Sequence, residues 1–195
     1  MSDQHTQTQI SSAEVHEVFA DLHTRYGVRG LEEKRADQAF VRTDRDEAVA
    51  VLTHLRDRHG YTHLAFLTAV DQIEEGRFEL LYMLHNYELR HDLGVIVEIP
   101  REGDGCSMDT IHRMWPAAAT YQRELREMFG IDFPGSPRLH EDFALEGWHD
   151  LPPMRKEFDT REYSERTYYA RPGRTKTDTR QHMKDTIYPS EAETW

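Results

Sequence analysis

The twelve histidines and one cysteine, Cys106, of this 195-residue protein are the side chains that could hold a metal or do redox chemistry. Their spacing argues against both. Zinc ligands on one helix fall three or four residues apart, and structural sites add paired cysteines. Here His54 and His59 are five apart, with no His-Glu-x-x-His run and no Cys-x-x-Cys pair. A lone cysteine forms no internal disulfide and cannot by itself carry an iron–sulfur cluster, which takes about four ligands. Gly103-Asp104-Gly105 reads as an ordinary loop before a helix, and neither a phosphate-binding glycine loop nor a nucleophile elbow is present. With 36 acidic residues, carboxylate pairs arise by chance and none marks an acid/base centre. No catalytic residue, metal ligand or cofactor is therefore assigned.

The charged pairs Arg123-Glu124 and Arg126-Glu127 stand in a helix that closes on Met128, Phe129 and Ile131. Arg123 and Glu127 are four apart, which fits a surface ion pair worth a few tenths of a kcal/mol. The same arginine could instead fork hydrogen bonds to a partner at a half-buried contact. Composition leaves both readings open.

Several elements must position these residues. Val15, Val18, Phe19, Leu22 and Tyr26 recur at helical spacing behind a capping box of Ser11 and Glu14, and Gly27 ends that helix. A short strand is expected over Gln38 to Arg42. A second helix opens at Asp44 and Glu47, with Ala48, Val51, Leu52 and Leu55 as its buried stripe. Leu64–Val70, Phe78–Tyr87 and Leu93–Ile99 read as an antiparallel meander, with Leu93, Val95, Val97 and Ile99 on one face. A third helical region starts near Ser107, restarts at Pro116 and runs to Phe129. The fold class is α+β, a mainly antiparallel sheet covered by helices.

Two regions follow: a globular domain over 1–132 and an extended C-terminal arm over 133–195. Six of the eight prolines lie between Pro134 and Pro189, and no apolar period remains to build a second core. Yet Phe143, Trp148, Phe158, Tyr163, Tyr168, Tyr169 and Tyr188 are too many aromatics for a solvated tail, and suit interface anchors. The net charge of −12 speaks against nucleic acid as a partner. That charge sits in the body: residues 151–195 carry 9 basic and 8 acidic side chains, leaving 15 and 28 for the first 150. No apolar run approaches the roughly 20 residues of a membrane span. The opening MSDQHTQTQISS has neither the basic start nor the apolar stretch of an export signal, so a cytosolic location is expected.

Trp115-Pro116-Ala117-Ala118, Tyr121-Gln122-Arg123-Glu124, Glu127-Met128-Phe129-Gly130-Ile131, Phe133-Pro134-Gly135-Ser136-Pro137 and Pro153-Met154-Arg155-Lys156-Glu157-Phe158 follow one another in an order that resembles a family signature. The family is the 30 kDa-type subunit of the proton-pumping NADH-quinone oxidoreductase, respiratory complex I. Gln122, Glu127, Ser136 and Glu157-Phe158-Asp159 depart from its Glu, Asp, His and Asp-Phe-Pro, which points to a divergent branch. Related subunits occur in membrane-bound NiFe-hydrogenases and formate hydrogenlyases, the alternative home for this protein; a free-standing soluble enzyme is the third reading. The resemblance implies a subunit without cofactor or catalytic residues in a quinone-reducing, electron-transport translocase. It implies partners among the peripheral-arm subunits, above all the large quinone-site (D-like) subunit, and a place on the cytoplasmic side of the inner membrane, reached only through other subunits. It implies a partner interface at Arg123, Glu124, Glu127, Phe129, Gly130, Gly135, Pro137, Arg155 and Lys156.

Overall fold

The computed structural model describes residues 12–168. The order of elements is α1 (Ser12–Tyr26), β1 (Arg29–Arg35), β2 (Gln38–Thr43), α2 (Ala48–His59), β3 (His63–Gln72), β4 (Arg77–Asn86), β5 (His91–Pro100), α3 (Ala118–Phe129) and α4 (Thr160–Thr167). Five strands form one sheet in the order β1-β2-β5-β4-β3. The β3-β4-β5 meander is antiparallel, as the sequence predicts, and β1 pairs antiparallel with β2. Between β2 and β5 the pairing is parallel, with Val41 opposite Val95. The long connection that such a parallel pairing requires contains α2. The fold is thus α+β with helices on a mainly antiparallel sheet.

Alternation along the strands sorts the two faces. Phe78, Leu80, Tyr82 and Leu84 of β4 and Leu93, Val95, Val97 and Ile99 of β5 point to the helices and are almost wholly buried. They join Val15, Val18 and Leu22 of α1, Val51, Leu52 and Leu55 of α2, and Leu125 and Phe129 of α3 in one core. Burying each such side chain contributes roughly 1.5 to 3 kcal/mol. On the opposite face Phe40, Leu81 and Ile96 are half-buried, and Phe66 and Val70 of edge strand β3 are exposed. Gly94 lies beneath the Phe40 ring, where a Cβ would come within 2.4 Å of Phe40 Cδ1, so no larger residue fits without displacing the ring. Arg42, Arg77, Glu79 and Glu98 fence one end of this face, with Arg42 donating to Glu79 at 2.7 Å.

Three local expectations change. β1, RGLEEKR, is a strand although all of it except Leu31 is exposed, because it borders the sheet and needs no apolar face. Residues 107–117 form turns instead of the start of the third helix. Met108 and Ile111 are buried there, and the Met108 amide and the Cys106 carbonyl bond to the carbonyl and the amide of Asp132 at 2.9 and 3.0 Å, which pairs this stretch with residue 132. α3 then begins at Ala118, two residues beyond Pro116. The capping box falls on Ser11, outside the described residues, as do Tyr169 and Tyr188.

The described residues divide into two compact units, one ending at Phe158 and one starting at Asp159. Regular structure stops near residue 132, but the first unit continues as an irregular strap over 133–158, with Phe133 and Leu139 buried in the core. In the second unit Asp159 caps α4 by accepting from the amides of Arg161 and Glu162.

Candidate functional site

The residues singled out by the sequence meet where the strap crosses α3. Gly130 adopts the left-handed conformation (φ 77°) that closes α3, its amide bonding to the carbonyls of Arg126 and Leu125. Arg155 returns to this helix end: its Nε donates to the Phe129 carbonyl at 2.7 Å, satisfying one of the free carbonyls that every helix terminus leaves. A Cβ on Gly130 would lie 3.2 Å from the Arg155 guanidinium and 3.3 Å from Pro152. Glycine is required there twice over, by backbone conformation and by the approach of the strap. The Met154 amide adds a bond to the Met128 carbonyl at 3.0 Å.

Phe78 is the apolar floor. The Phe129 ring meets it edge-on at 5.8 Å, and the guanidinium groups of Arg101 and Arg155 lie 5.7 and 5.4 Å from its ring centre. Beside it Asp71, 4% exposed, accepts from Arg101 Nε at 2.8 Å and Nη2 at 3.0 Å, and from the Lys156 amide at 2.9 Å. Glu157 closes the cluster on Arg101 from the strap side. Burial alone would raise the Asp71 pKa, but the Arg101 and Lys156 hydrogen bonds outweigh it and lower it. The Arg101 pKa is raised, foremost by its bonds to Asp71. Both groups are therefore fixed as ions, suited to fastening and unsuited to exchanging protons at neutral pH.

On the outer side of α3, Glu127 gathers the strap backbone. Its carboxylate accepts from three consecutive strap amides, those of Phe143, Ala144 and Leu145, at 2.7, 2.8 and 3.2 Å. One turn earlier Arg123 donates to the Asp142 carbonyl at 3.2 Å and lies 5.4 Å from the centre of the Phe143 ring. These two residues hold the strap and do not form the i, i+4 pair that the sequence allowed. The buried Cys106 thiol, its pKa pushed up by burial, is not set up as a nucleophile.

Of the nine residues expected at a partner interface, Arg123, Glu127, Phe129, Gly130, Arg155 and Lys156 take part in joining the strap to α3 and the sheet within this protein. Glu124 is half-buried on α3, while Gly135 is exposed and Pro137 lies further along the same strap. The sequence did not reveal Asp71, Arg101 and Phe78. Asp71 and Arg101 stand 85 and 56 residues before their strap partners Lys156 and Glu157.

This is a sheet-and-helix body in which the polar residues around α3 hold an irregular strap in place. The protein belongs to the family described as "Respiratory-chain NADH dehydrogenase, 30 Kd subunit", which it matches over residues 41–164, from β2 through the strap into α4. It is 30% identical over 145 residues to the C-type subunit of NADH-quinone oxidoreductase from Moorella thermoacetica, spanning 74% of this sequence and 90% of that one. A C/D-type subunit of NADH-quinone oxidoreductase from Acidiphilium cryptum is 34% identical over 128 residues, 60% of this sequence but only 21% of that protein's length. Among solved structures, one polypeptide of the membrane-bound sulfane sulfur reductase, an archaeal respiratory membrane complex, superimposes with a TM-score of 0.68 at 26% identity. That match covers 85% of this protein and 97% of the other. No helix among the described residues is long and apolar enough to cross a membrane.

Proposed function

We propose that the protein is a non-catalytic subunit of the peripheral arm of a proton-translocating NADH-quinone oxidoreductase, scaffolding the large quinone-site subunit. The observation that carries this reading is the family match, which runs from β2 through β3, β4, β5, α3 and the whole strap and so includes the clasp itself. The C/D-type relative, of which this protein matches about a fifth, supports a D-like subunit as the neighbour here. In this reading the clasp presents the outer side of the strap, including exposed Gly135, Phe143 and Met154, in one fixed shape. Presenting it ordered lowers the entropy lost on assembly. The subunit sits on the cytoplasmic side of the membrane, held there by other subunits.

The second reading is the equivalent subunit of a membrane-bound NiFe-hydrogenase or formate hydrogenlyase, and the likeness to a polypeptide of an archaeal respiratory membrane complex that reduces sulfane sulfur supports a home outside NADH-quinone oxidoreductase. Affinity capture of the tagged full-length protein from native membranes separates the two. A co-purifying large subunit without nickel-binding cysteines, together with quinone reductase activity, supports the first reading; a nickel-containing large subunit supports the second. Recovery of the protein by itself would overturn both. Arg155→Ala is expected to lower the yield of assembled complex while activity per assembled complex stays unchanged, because Arg155 grips a helix end and the Phe78 ring.

A further inference from the structure

Away from the strap, α1 and α2 bring together three side chains that the sequence spacing kept apart. His54 Nε2 and His59 Nε2 both lie on Asp21 Oδ2, at 2.7 and 3.0 Å. The three ligand atoms are all within 4.8 Å of one another. His54 and His59 are five apart on one helix, and what makes them a set is a carboxylate more than thirty residues earlier on another. We infer that Asp21, His54 and His59 form a binding site for a divalent transition metal of the zinc type, tying α1 to α2.

The geometry fits such an ion. Ligand atoms arranged tetrahedrally about zinc at about 2.0 to 2.1 Å stand about 3.3 Å from one another, so the present separations need only small side-chain rotations. Arg25 Nε holds the other carboxylate oxygen, Oδ1, at 2.6 Å. That bond orients Oδ2 toward the imidazoles, as outer-shell partners of metal ligands do. The His54 ring is wedged between Tyr26 and His59, with ring centres 5.4 and 5.2 Å away, which limits its rotation. A cleft of about 380 Å³ lined by Asp21, Arg25, His54 and Arg58 opens beside the cluster and leaves room for a fourth ligand.

The same surroundings select the metal. One carboxylate against Arg25 and Arg58 offers too little negative charge for magnesium or calcium, which depend on several oxygen donors. Two imidazoles suit zinc, cobalt, nickel or copper. The neighbouring guanidinium groups favour an anion or hydroxide in the open position. Without metal, the trio is a hydrogen-bonded clamp between the two helices, and the test separates that role from ion binding.

Untagged full-length protein is titrated with ZnCl2 by calorimetry, with MgCl2 as the control. One saturable zinc per molecule is expected, with no response to magnesium and a rise in melting temperature. His54→Asn and His59→Asn should each weaken zinc binding by more than about tenfold. Binding that survives unchanged in the double variant would assign the metal to other histidines and overturn the proposal, as would the absence of a 1:1 phase. Should the variants fold poorly, imidazole NMR resonances of the unmodified protein decide instead. Zinc must shift those of His54 and His59 at the lowest ratios; prior shifts at other histidines would refute the site.

Discussion

On the helix-covered face of the sheet, Leu80, Leu84, Leu93, Val95 and Val97 are at most 2% exposed and belong to the shared apolar core. The strap over 133–158 sends Phe133 and Leu139 into the core and is otherwise fastened by hydrogen bonds that involve Arg155, Asp71, Glu127 and Arg123. A core held by dispersion and burial depends on shape and is spread over many contacts. A strap held by directional bonds concentrates its attachment in a few groups, each separately removable. An ordered surface held in this way can be loosened without loss of the fold beneath it.

Phe78→Ala should weaken core and strap together, since Phe78 belongs to both regions: it is fully buried in the core and it underlies Arg101, Arg155 and Phe129. A loss of about 3 to 5 kcal/mol is expected from urea unfolding, the range for a buried aromatic truncated to alanine. The strap amides should lose their exchange protection together with those of the sheet. Strap protection that persists while the sheet weakens would mean that Phe78 is no part of the clasp.

Asp71→Ala acts at the junction with a smaller effect. It leaves the Arg101 guanidinium buried with only Glu157 from the strap as a close counter-charge, apart from the distant and exposed Glu102. Truncating one partner of a buried pair costs roughly 3 to 5 kcal/mol, and the remaining Glu157 places this case near about 3. Hydrogen exchange at the Lys156 amide reads the strap directly, because that amide donates to Asp71. Unchanged protection at Lys156 would remove Asp71 from the clasp, whatever happened to global stability.

The same contrast explains what the sequence could show. Three meander strands, two of the helices and the core stripe of α2 are legible because apolar residues recur at the period of the element that buries them. β1 is not, since Arg29–Arg35 lies at the sheet border and has only Leu31 to signal a pleat. Residues 107–117 contain Met108 and Ile111 at a spacing that reads as helix, whereas the carbonyl and amide of Asp132 claim the backbone beside them. Recognised motifs locate α3 and the strap but say nothing of how the two are fastened together. Arg123 and Glu127 read from sequence as a surface ion pair or a contact to another subunit because their partners are backbone groups of residues 142–145, and backbone partners leave no trace in side-chain pattern. Asp21 is invisible beside His54 and His59 for the related reason that helix-to-helix proximity has no sequence period.

Glu127→Gln is the mildest change and isolates the strap most cleanly. The carboxylate accepts from the amides of Phe143, Ala144 and Leu145, and charge-assisted bonds of this kind are about twice as strong as neutral ones. Glutamine keeps the shape and one acceptor oxygen but loses the charge and turns its other terminus into a donor, which cannot face an amide. Because the site is partly open to water, the loss should be about 1 kcal/mol, local to the loop. At constant pH that corresponds to roughly five-fold faster exchange of those three amides. The urea midpoint should barely move, since Leu80 to Val97 do not depend on this loop and distant sites act independently. A uniform acceleration of exchange across the sheet would show instead that the strap and the core open as one cooperative unit, and that the distinction between them ends at the level of contacts.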